Sequence, residues 1–196
     1  MKHFLWVCLL ACLLSRAEGA EAPKPFEFIV MGCMPYYMPQ DEARFQNVIA
    51  AANQARPAFS VHCGDTKSGQ KPCDDAVYPK ILGWFNQFEH PFIYVPGDNE
   101  WTDCHRSNNG SYDPLERLGK LRELFFAGDT ALGQRPMSLE RQSNDPAFAG
   151  YRENVRWESG GALFVGLNLP GSENNYHGTT RGGGPVPEFI ERGAAN

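Results

Sequence analysis

The chain lacks a hydrophobic run long enough to cross a bilayer, a block of like charges and an internal repeat. Its longest apolar run, over residues 4–14, is shorter than a membrane-spanning helix requires. A formal net charge of −5 gives no indication of a broad basic face for nucleic acids. The length of the chain fits one domain of ordinary size. Its 20 glycines and 15 prolines favour long loops around a globular core.

The first residues resemble a targeting segment. A short basic start precedes the apolar run, and residues 17–19 offer small side chains at the two positions that a signal peptidase recognises. These features predict a signal peptide over residues 1–20, a linker over residues 21–25 and a domain over residues 26–196. We therefore expect an exported protein, periplasmic or extracellular, with no membrane span after removal of the signal.

The first half of the domain alternates between strand and helix patterns. Apolar, β-prone runs predict strands at residues 26–31, 58–63 and 92–95, with amphipathic helices between them. Asp74 and Asp75 stand where N-caps of the second helix are expected. Strands alternating with helices imply parallel strands joined by helical crossovers.

The second half has a different pattern. Asp113 and Pro114 predict the start of a third helix. Residues 151–157 and 162–169 then resemble antiparallel neighbours, so we predict an α/β fold with one mixed sheet, parallel first and antiparallel later. A further helix begins near Pro187, and the chain stops soon afterwards. From this we expect a domain that is incomplete at its C-terminus.

Two predicted strands end in a Gly-Asp step, at Gly64-Asp65 and at Gly97-Asp98. The carboxyl ends of parallel strands lie at one edge of a sheet, and ligands commonly bind at that edge. Carboxylate oxygens suit divalent cations. Either aspartate alone also fits a helix cap or a loop turn. Because the two occupy matched positions on neighbouring strands, a metal site is the preferred interpretation.

Export also determines how the cysteines are interpreted. Cys33, Cys63, Cys73 and Cys104 would remain in an oxidising compartment, where disulfides persist. Four cysteines allow three pairings, and the sequence does not decide among them. Cys73 and Cys104 each lie in a loop just after a Gly-Asp step, so we favour a disulfide between them.

Several motifs resemble the calcineurin-like metallophosphoesterase superfamily, in a bacterial exported branch. Gly64-Asp65 is similar to the second element of that family's signature, and the segment over residues 97–100 (Gly-Asp-Asn-Glu) is similar to the third. Residues 61–69, 96–104 and 112–118 share this character. The resemblance extends over nearly all of residues 26–196. It implies a mixed-sheet αββα sandwich that hydrolyses phosphoesters with two divalent metal ions, whether Mn, Fe or Zn.

The resemblance also implies roles for individual residues. Asp65 would bridge the two metals, and Asp98 would replace the usual ligand asparagine. Asn99 stands where the family has a histidine that protonates the leaving group; an asparagine donates hydrogen bonds but does not shuttle protons. Cys33 stands where the family's first metal-binding aspartate would be. The family's closing Gly-His-X-His element is absent from this sequence.

Cys33 has three interpretations. A thiolate in place of the carboxylate would favour a softer ion such as zinc. Cys33 also lies near the end of a strand adjacent to the one that ends at Cys63, so a disulfide between the two is a second interpretation. The third is an inert buried thiol, because free cysteine is often a small core hydrophobe.

Cationic side chains near the predicted site are candidates for phosphate binding. His105 and Arg106 follow Cys104 in a loop at the mouth of the site, and Lys67 follows the first Gly-Asp step. Each also fits a solvated loop. His105 is also a candidate catalytic residue, as is Asn99. His62 precedes that step and is interpreted as a core histidine with satisfied hydrogen bonds.

Three hypotheses follow for function. The first is a metal-dependent phosphoesterase acting on a small phosphoester or a phosphorylated substrate. The second is a non-catalytic binding protein of the same fold, because Cys33 and Asn99 replace the expected aspartate and histidine. The third is an incomplete gene product with an open sheet edge and exposed apolar surface.

Overall fold

A computed structural model describes residues 24–180 and 184–196. The predicted signal peptide and most of the predicted linker lie outside these residues. The described residues form a mixed α/β structure with two small sheets and five helices. In chain order the elements are β1 Ile29–Met31, α1 Glu42–Ala55, β2 Ser60–His62, α2 Val77–Phe85, β3 Phe92–Tyr94, α3 Pro114–Phe125, β4 Glu140–Arg141, β5 Val155–Ser159, β6 Ala162–Gly166, α4 Gly171–Asn175 and α5 Pro187–Ala195.

The first three strands form a parallel sheet in the order β1-β2-β3, as the alternating pattern predicted. Val30 pairs with Val61, and Val61 pairs with Ile93. One hydrophobic cluster combines α1, α2 and α3 with side chains of the parallel strands, including Met31 and Tyr94. These helices therefore cover one face of the parallel sheet.

The prediction of one mixed sheet was wrong for the described residues. Strands β4, β5 and β6 form a separate antiparallel sheet, in which β5 and β6 make the predicted hairpin. Phe92 and Leu132 exchange backbone hydrogen bonds of 2.8 and 2.9 Å. The backbone N–H and C=O groups of Phe92 on β3 therefore bond to Leu132 and not to a strand of the hairpin. The hairpin instead contributes Val155 and Trp157 to a second cluster, which also contains Ile93 of the parallel sheet.

The helix caps show why one prediction succeeded and another failed. Asp113 caps α3, because its carboxylate accepts the amides of Leu115 and Glu116 at 2.7 and 3.0 Å. The predicted capping of α2 by Asp74 or Asp75 was wrong, since Ala76 occupies the N-cap position.

Both aspartates before α2 are bound by more distant residues. Asp75 pairs with Arg117 and Lys120 at 2.8 and 2.6 Å, and Asp74 accepts the Tyr112 hydroxyl at 2.8 Å. These interactions link the start of α2 to the region of α3.

The later helices differ in backbone geometry. In α4, Ser172, Glu173 and Asn174 all have left-handed φ and ψ angles, so the segment is a left-handed turn. The predicted helix near Pro187 is confirmed as α5. Arg192 of α5 is fully buried, and its guanidinium lies 3.4 Å from Glu153. Over the ranges that the structure describes, no helix has both the length and the apolar character needed to cross a bilayer.

Candidate functional site at the edge of the parallel sheet

The ends of β2 and β3 approach each other unusually closely. Gly64 has φ +83°, and a Cβ there would overlap the backbone of Gly97. A Cβ at Gly97 would in turn overlap the carboxylate of Asp65. Only glycine permits this backbone approach, and Gly64 also requires the left-handed region that glycine adopts readily. The two Gly-Asp steps are therefore packed against each other.

Glu100 fastens the two strand ends together. Its side chain is fully buried and accepts the amides of Asp65 and Gly97 at 3.0 and 2.8 Å. It also accepts the amide of Thr66, and the Thr66 hydroxyl at 2.7 Å. Hydrogen bonds to an ionised acceptor are stronger than neutral ones. Glu100 thus fixes the loop that carries Asp65 relative to the loop that carries Asp98.

Asp65 and Asp98 line the same cleft, and the charge of Asp98 acts on Asp65. Burial and the negative charges of Glu100 and Asp98 raise the pKa of Asp65 to about 7. Oδ1 of Asp65 is buried and has no hydrogen-bond partner among the described residues. Asp65 itself has φ +59°, a conformation that costs energy for a residue with a side chain. The edge therefore presents concentrated negative charge and an oxygen without a donor.

Cys33 stands beside this pair. Its thiol lies 3.7 Å from Oδ2 of Asp65, and its amide donates to the Gly64 carbonyl at 2.9 Å. Burial, and after it the charge of Asp65, raise the pKa of the Cys33 thiol. Both Cys33 and Cys63 are free and exposed. The structure therefore places Cys33 next to a predicted ligand and shows it neither paired with Cys63 nor buried as an inert core thiol.

Asn99 and Lys67 are held inside the neighbouring loop. The Asn99 amide nitrogen donates to the Tyr36 hydroxyl and the Lys67 carbonyl at 3.2 and 3.1 Å. Lys67 is only 4% exposed, and its ammonium donates to two backbone carbonyls and to Asn109. Burial lowers the pKa of Lys67. In this arrangement both side chains stabilise the loop conformation.

His105 and Arg106 lie next to another acid, Asp103. Arg106 pairs with the nearly buried Asp103 at 2.6 Å, and 45% of the Arg106 side chain remains exposed. Nδ1 of His105 lies 2.6 Å from the Thr102 carbonyl oxygen. Burial and then the charge of Asp98 raise the pKa of Asp103, whereas Arg106 and His105 oppose that rise. The predicted phosphate-binding cations therefore surround an acid that interacts electrostatically with Asp98.

His62 lies beneath the edge as a core histidine, as the sequence predicted. It is fully buried. The Gly64 amide donates to its Nδ1 at 3.1 Å, so the proton lies on Nε2, which donates to the Met34 carbonyl at 2.7 Å. Burial lowers the pKa of His62 to about 4. The neutral ring thus joins the ends of β1 and β2.

The predicted disulfide is confirmed. Cys73 and Cys104 are bonded, with Cα atoms 5.8 Å apart, and both side chains are fully buried. The bridge lies close to the site loop, because the Cys104 segment follows Asp98 and Glu100 directly. It joins the loop after β3 to the segment that precedes α2.

The donor set fits a cation only in part. Asp65 and Asp98 supply oxygen ligands, and the unpartnered Oδ1 of Asp65 is available to one. Within residues 24–180 and 184–196, no group of three or more histidine, cysteine, aspartate or glutamate side chains is arranged to hold a metal ion. Among the described residues, the edge therefore offers a cation the two carboxylates of Asp65 and Asp98.

Sequence reasoning missed two contributors to the site. Glu100 was identified only as the last residue of a motif, and Asp103 was not identified as a functional residue. The pattern of acids at positions 98, 100 and 103 was a usable signal. Their individual roles depend on which amides and cations surround them, and the sequence does not specify those contacts.

Comparison with protein-family models, with curated proteins and with solved structures finds no match for this chain.

Proposed function

We propose that this chain is a metal-dependent phosphoesterase whose divalent cation is bound by Asp65 and Asp98. The observation that carries the proposal is that both aspartates line one cleft at the edge of the parallel sheet, where the Asp98 carboxyl interacts with that of Asp65. A cation would neutralise the negative charges that, together with burial as the larger cause, raise the pKa of Asp65, and it would give the buried Oδ1 a partner. The resemblance to calcineurin-like metallophosphoesterases supports the same chemistry.

When bound, the cation would supply charge neutralisation at the phosphoryl oxygens and activation of water. Asp65 and Asp98 would position it, and Glu100 would keep their two loops in register. Arg106, which is partly exposed beside Asp103, would bind a phosphoryl oxygen with its free donors. His105, in the same loop, is the proposed proton donor, because Asn99 cannot transfer a proton.

The finer architecture and the cellular location belong to the same proposal. Cluster residues from both sheets pack together, which supports an αββα sandwich of the family type. The buried Cys73–Cys104 disulfide supports export to an oxidising compartment. A free thiol at Cys33, 3.7 Å from Asp65, would add a softer ligand for ions such as zinc.

The test combines cation binding with hydrolysis. Purified full-length chain would be titrated calorimetrically with Mn²⁺ and with Zn²⁺, and hydrolysis of p-nitrophenyl phosphate would be measured with each ion. Changes to residues outside a metal's ligand shell typically lower affinity or activity roughly 10–100-fold. Asp65→Asn and Asp98→Asn remove proposed ligands, so each should lower cation affinity and activity by more than that. Asp113→Asn makes the same chemical change at a helix cap and should leave both unchanged. Hydrolysis that survives Asp65→Asn would remove the proposal.

A non-catalytic binding protein is the second candidate. It is favoured by the burial of Asn99, whose amide is engaged by Tyr36 and Lys67, and by the lack of three clustered ligands among the described residues. Elemental analysis of the purified chain separates the two candidates. One or more equivalents of tightly bound metal per chain would count strongly against the binding protein, and hydrolysis would exclude it.

A further inference from the structure

A cleft opens beside Asp65 and Asp98. It has a volume of about 510 Å³ and lies between the ends of β2 and β3 and the strand β6 with the segment that follows it. Its walls are largely apolar and include Val95, Trp157 and Leu169. The two aspartates contribute carboxylates to the same lining. The cleft is therefore continuous with the proposed metal site.

The charges of the lining restrict what the cleft can hold. None of the described residues that line it is lysine, arginine or histidine. Apart from the cation that Asp65 and Asp98 would bind, the walls offer no positive charge to an anion. A neutral apolar group fits them, with its polar end toward the carboxylates.

The outer part of the cleft exposes large apolar side chains to water. Val165 is 57% exposed and Leu169 is 59% exposed, whereas Trp157 deeper in the wall is 5% exposed. Covering such surface is favourable in proportion to the apolar area removed from water. An apolar ligand in the cleft would cover Val165 and Leu169.

We propose that this cleft binds the alkyl or aryl group of the phosphoester, so that the substrates are monoesters of apolar alcohols. The inference rests on the proposed function, because the phosphoryl group must lie at the cation held by Asp65 and Asp98. The cleft would then select substrates by their alkyl or aryl group, and the cation would bind the phosphoryl group that all of the substrates share.

The first test is a series of methyl, butyl and octyl phosphates with the Mn²⁺-loaded chain. Burial of each additional methylene should raise kcat/KM roughly fourfold until the chain fills the cleft. A kcat/KM that does not change from methyl to octyl phosphate would overturn the assignment of the cleft.

Two leucines on the same part of the fold provide a matched pair of variants. Leu169 lines the cleft, whereas Leu163 on β6 lies outside its lining and is 60% exposed, almost as much as Leu169. Leu169→Ser should reduce the octyl-to-methyl ratio of kcat/KM roughly tenfold. Leu163→Ser should leave that ratio unchanged. An equal loss in both variants would refute the proposal.

A neutral probe separates failure of the cleft from failure of the proposed function. Binding of 1-octanol to the metal-free chain should change tryptophan fluorescence, because Trp157 forms part of the wall. The change should weaken in Leu169→Ser and persist in Leu163→Ser. If octanol binds in this way and no ester is hydrolysed, the apolar site stands and the phosphoesterase fails. If octanol produces no change, the apolar site is refuted even where esters are hydrolysed.

Discussion

Acidification should destabilise this protein through His62. The ring is fully buried and uses both nitrogens, one accepting from the Gly64 amide and one donating to the Met34 carbonyl. Burial lowers its pKa from 6.5 to about 4. A histidine in the unfolded chain keeps the ordinary value. Between pH 6.5 and pH 4 the unfolded state therefore binds more protons, and stability falls as the pH falls.

The magnitude follows from the shift. A difference of about 2.5 pKa units, at about 1.4 kcal/mol each, gives a loss approaching about 3 kcal/mol near pH 4. His62 contributes its full stabilisation above pH 6.5. Asp65 acts in the opposite direction, because its raised pKa makes the folded state bind more protons as the pH falls below 7. The total pH dependence is therefore a sum, and a variant is needed to isolate His62.

The assay is urea unfolding followed by tryptophan fluorescence at several values between pH 7.5 and pH 4. His62→Gln keeps a donor for the Met34 carbonyl and does not titrate. The free energy of unfolding of this variant should fall less with acidification than that of the wild type, and the difference should reach up to about 3 kcal/mol across the range. Parallel pH profiles for the wild type and His62→Gln would refute this reasoning.

Three other predictions concern stability. Glu100→Gln places an amide nitrogen against backbone donors and should lower the free energy of unfolding by about 3 kcal/mol. A loss below about 0.5 kcal/mol, measured by urea unfolding, would contradict the role assigned to Glu100. Asp113→Ala should cost about 1 kcal/mol and Asp113→Asn almost nothing, because asparagine also caps helices; equal values for the two would count against the cap. Reduction of the disulfide, or replacement of Cys73 and Cys104 by serine, should lower the free energy of unfolding by about 3–4 kcal/mol, because the bridge closes a loop with a sequence separation of 31. An unchanged Tm under reductant would disprove this.

Much of the local structure was predictable because it depends on neighbouring residues. The period of apolar side chains predicted α1, in which Phe45, Ile49 and Ala52 are buried. The Asp113-Pro114 pair predicted the start of α3. The β-prone runs over residues 151–157 and 162–169 predicted the β5–β6 hairpin. Each of these signals acts within a few residues.

Predictions failed where distant groups competed for the same atoms. Asp74 and Asp75 fit a helix cap locally, yet Tyr112 and Arg117 bind them instead. Strand β4 has only two residues, too few to produce an alternating pattern. The single mixed sheet failed because the backbone bonds of Phe92 are satisfied by Leu132. A window of neighbouring residues contains none of this information.

The candidate site divides in the same way. The sequence alone placed Asp65 and Asp98 at the ends of adjacent parallel strands, because strand order and the Gly-Asp steps follow from local pattern and chain connectivity. It also identified Cys73 and Cys104 as a pair. These determinants are encoded by residue type and spacing.

Only the tertiary structure decided how the charges are distributed. It turned Lys67 into the loop, buried Glu100 among backbone amides and placed the Cys33 thiol beside Asp65. It also formed the apolar cleft from strands of both sheets. The physical reason is that burial and partner choice depend on packing between segments far apart in the chain, and electrostatic energies change steeply with both.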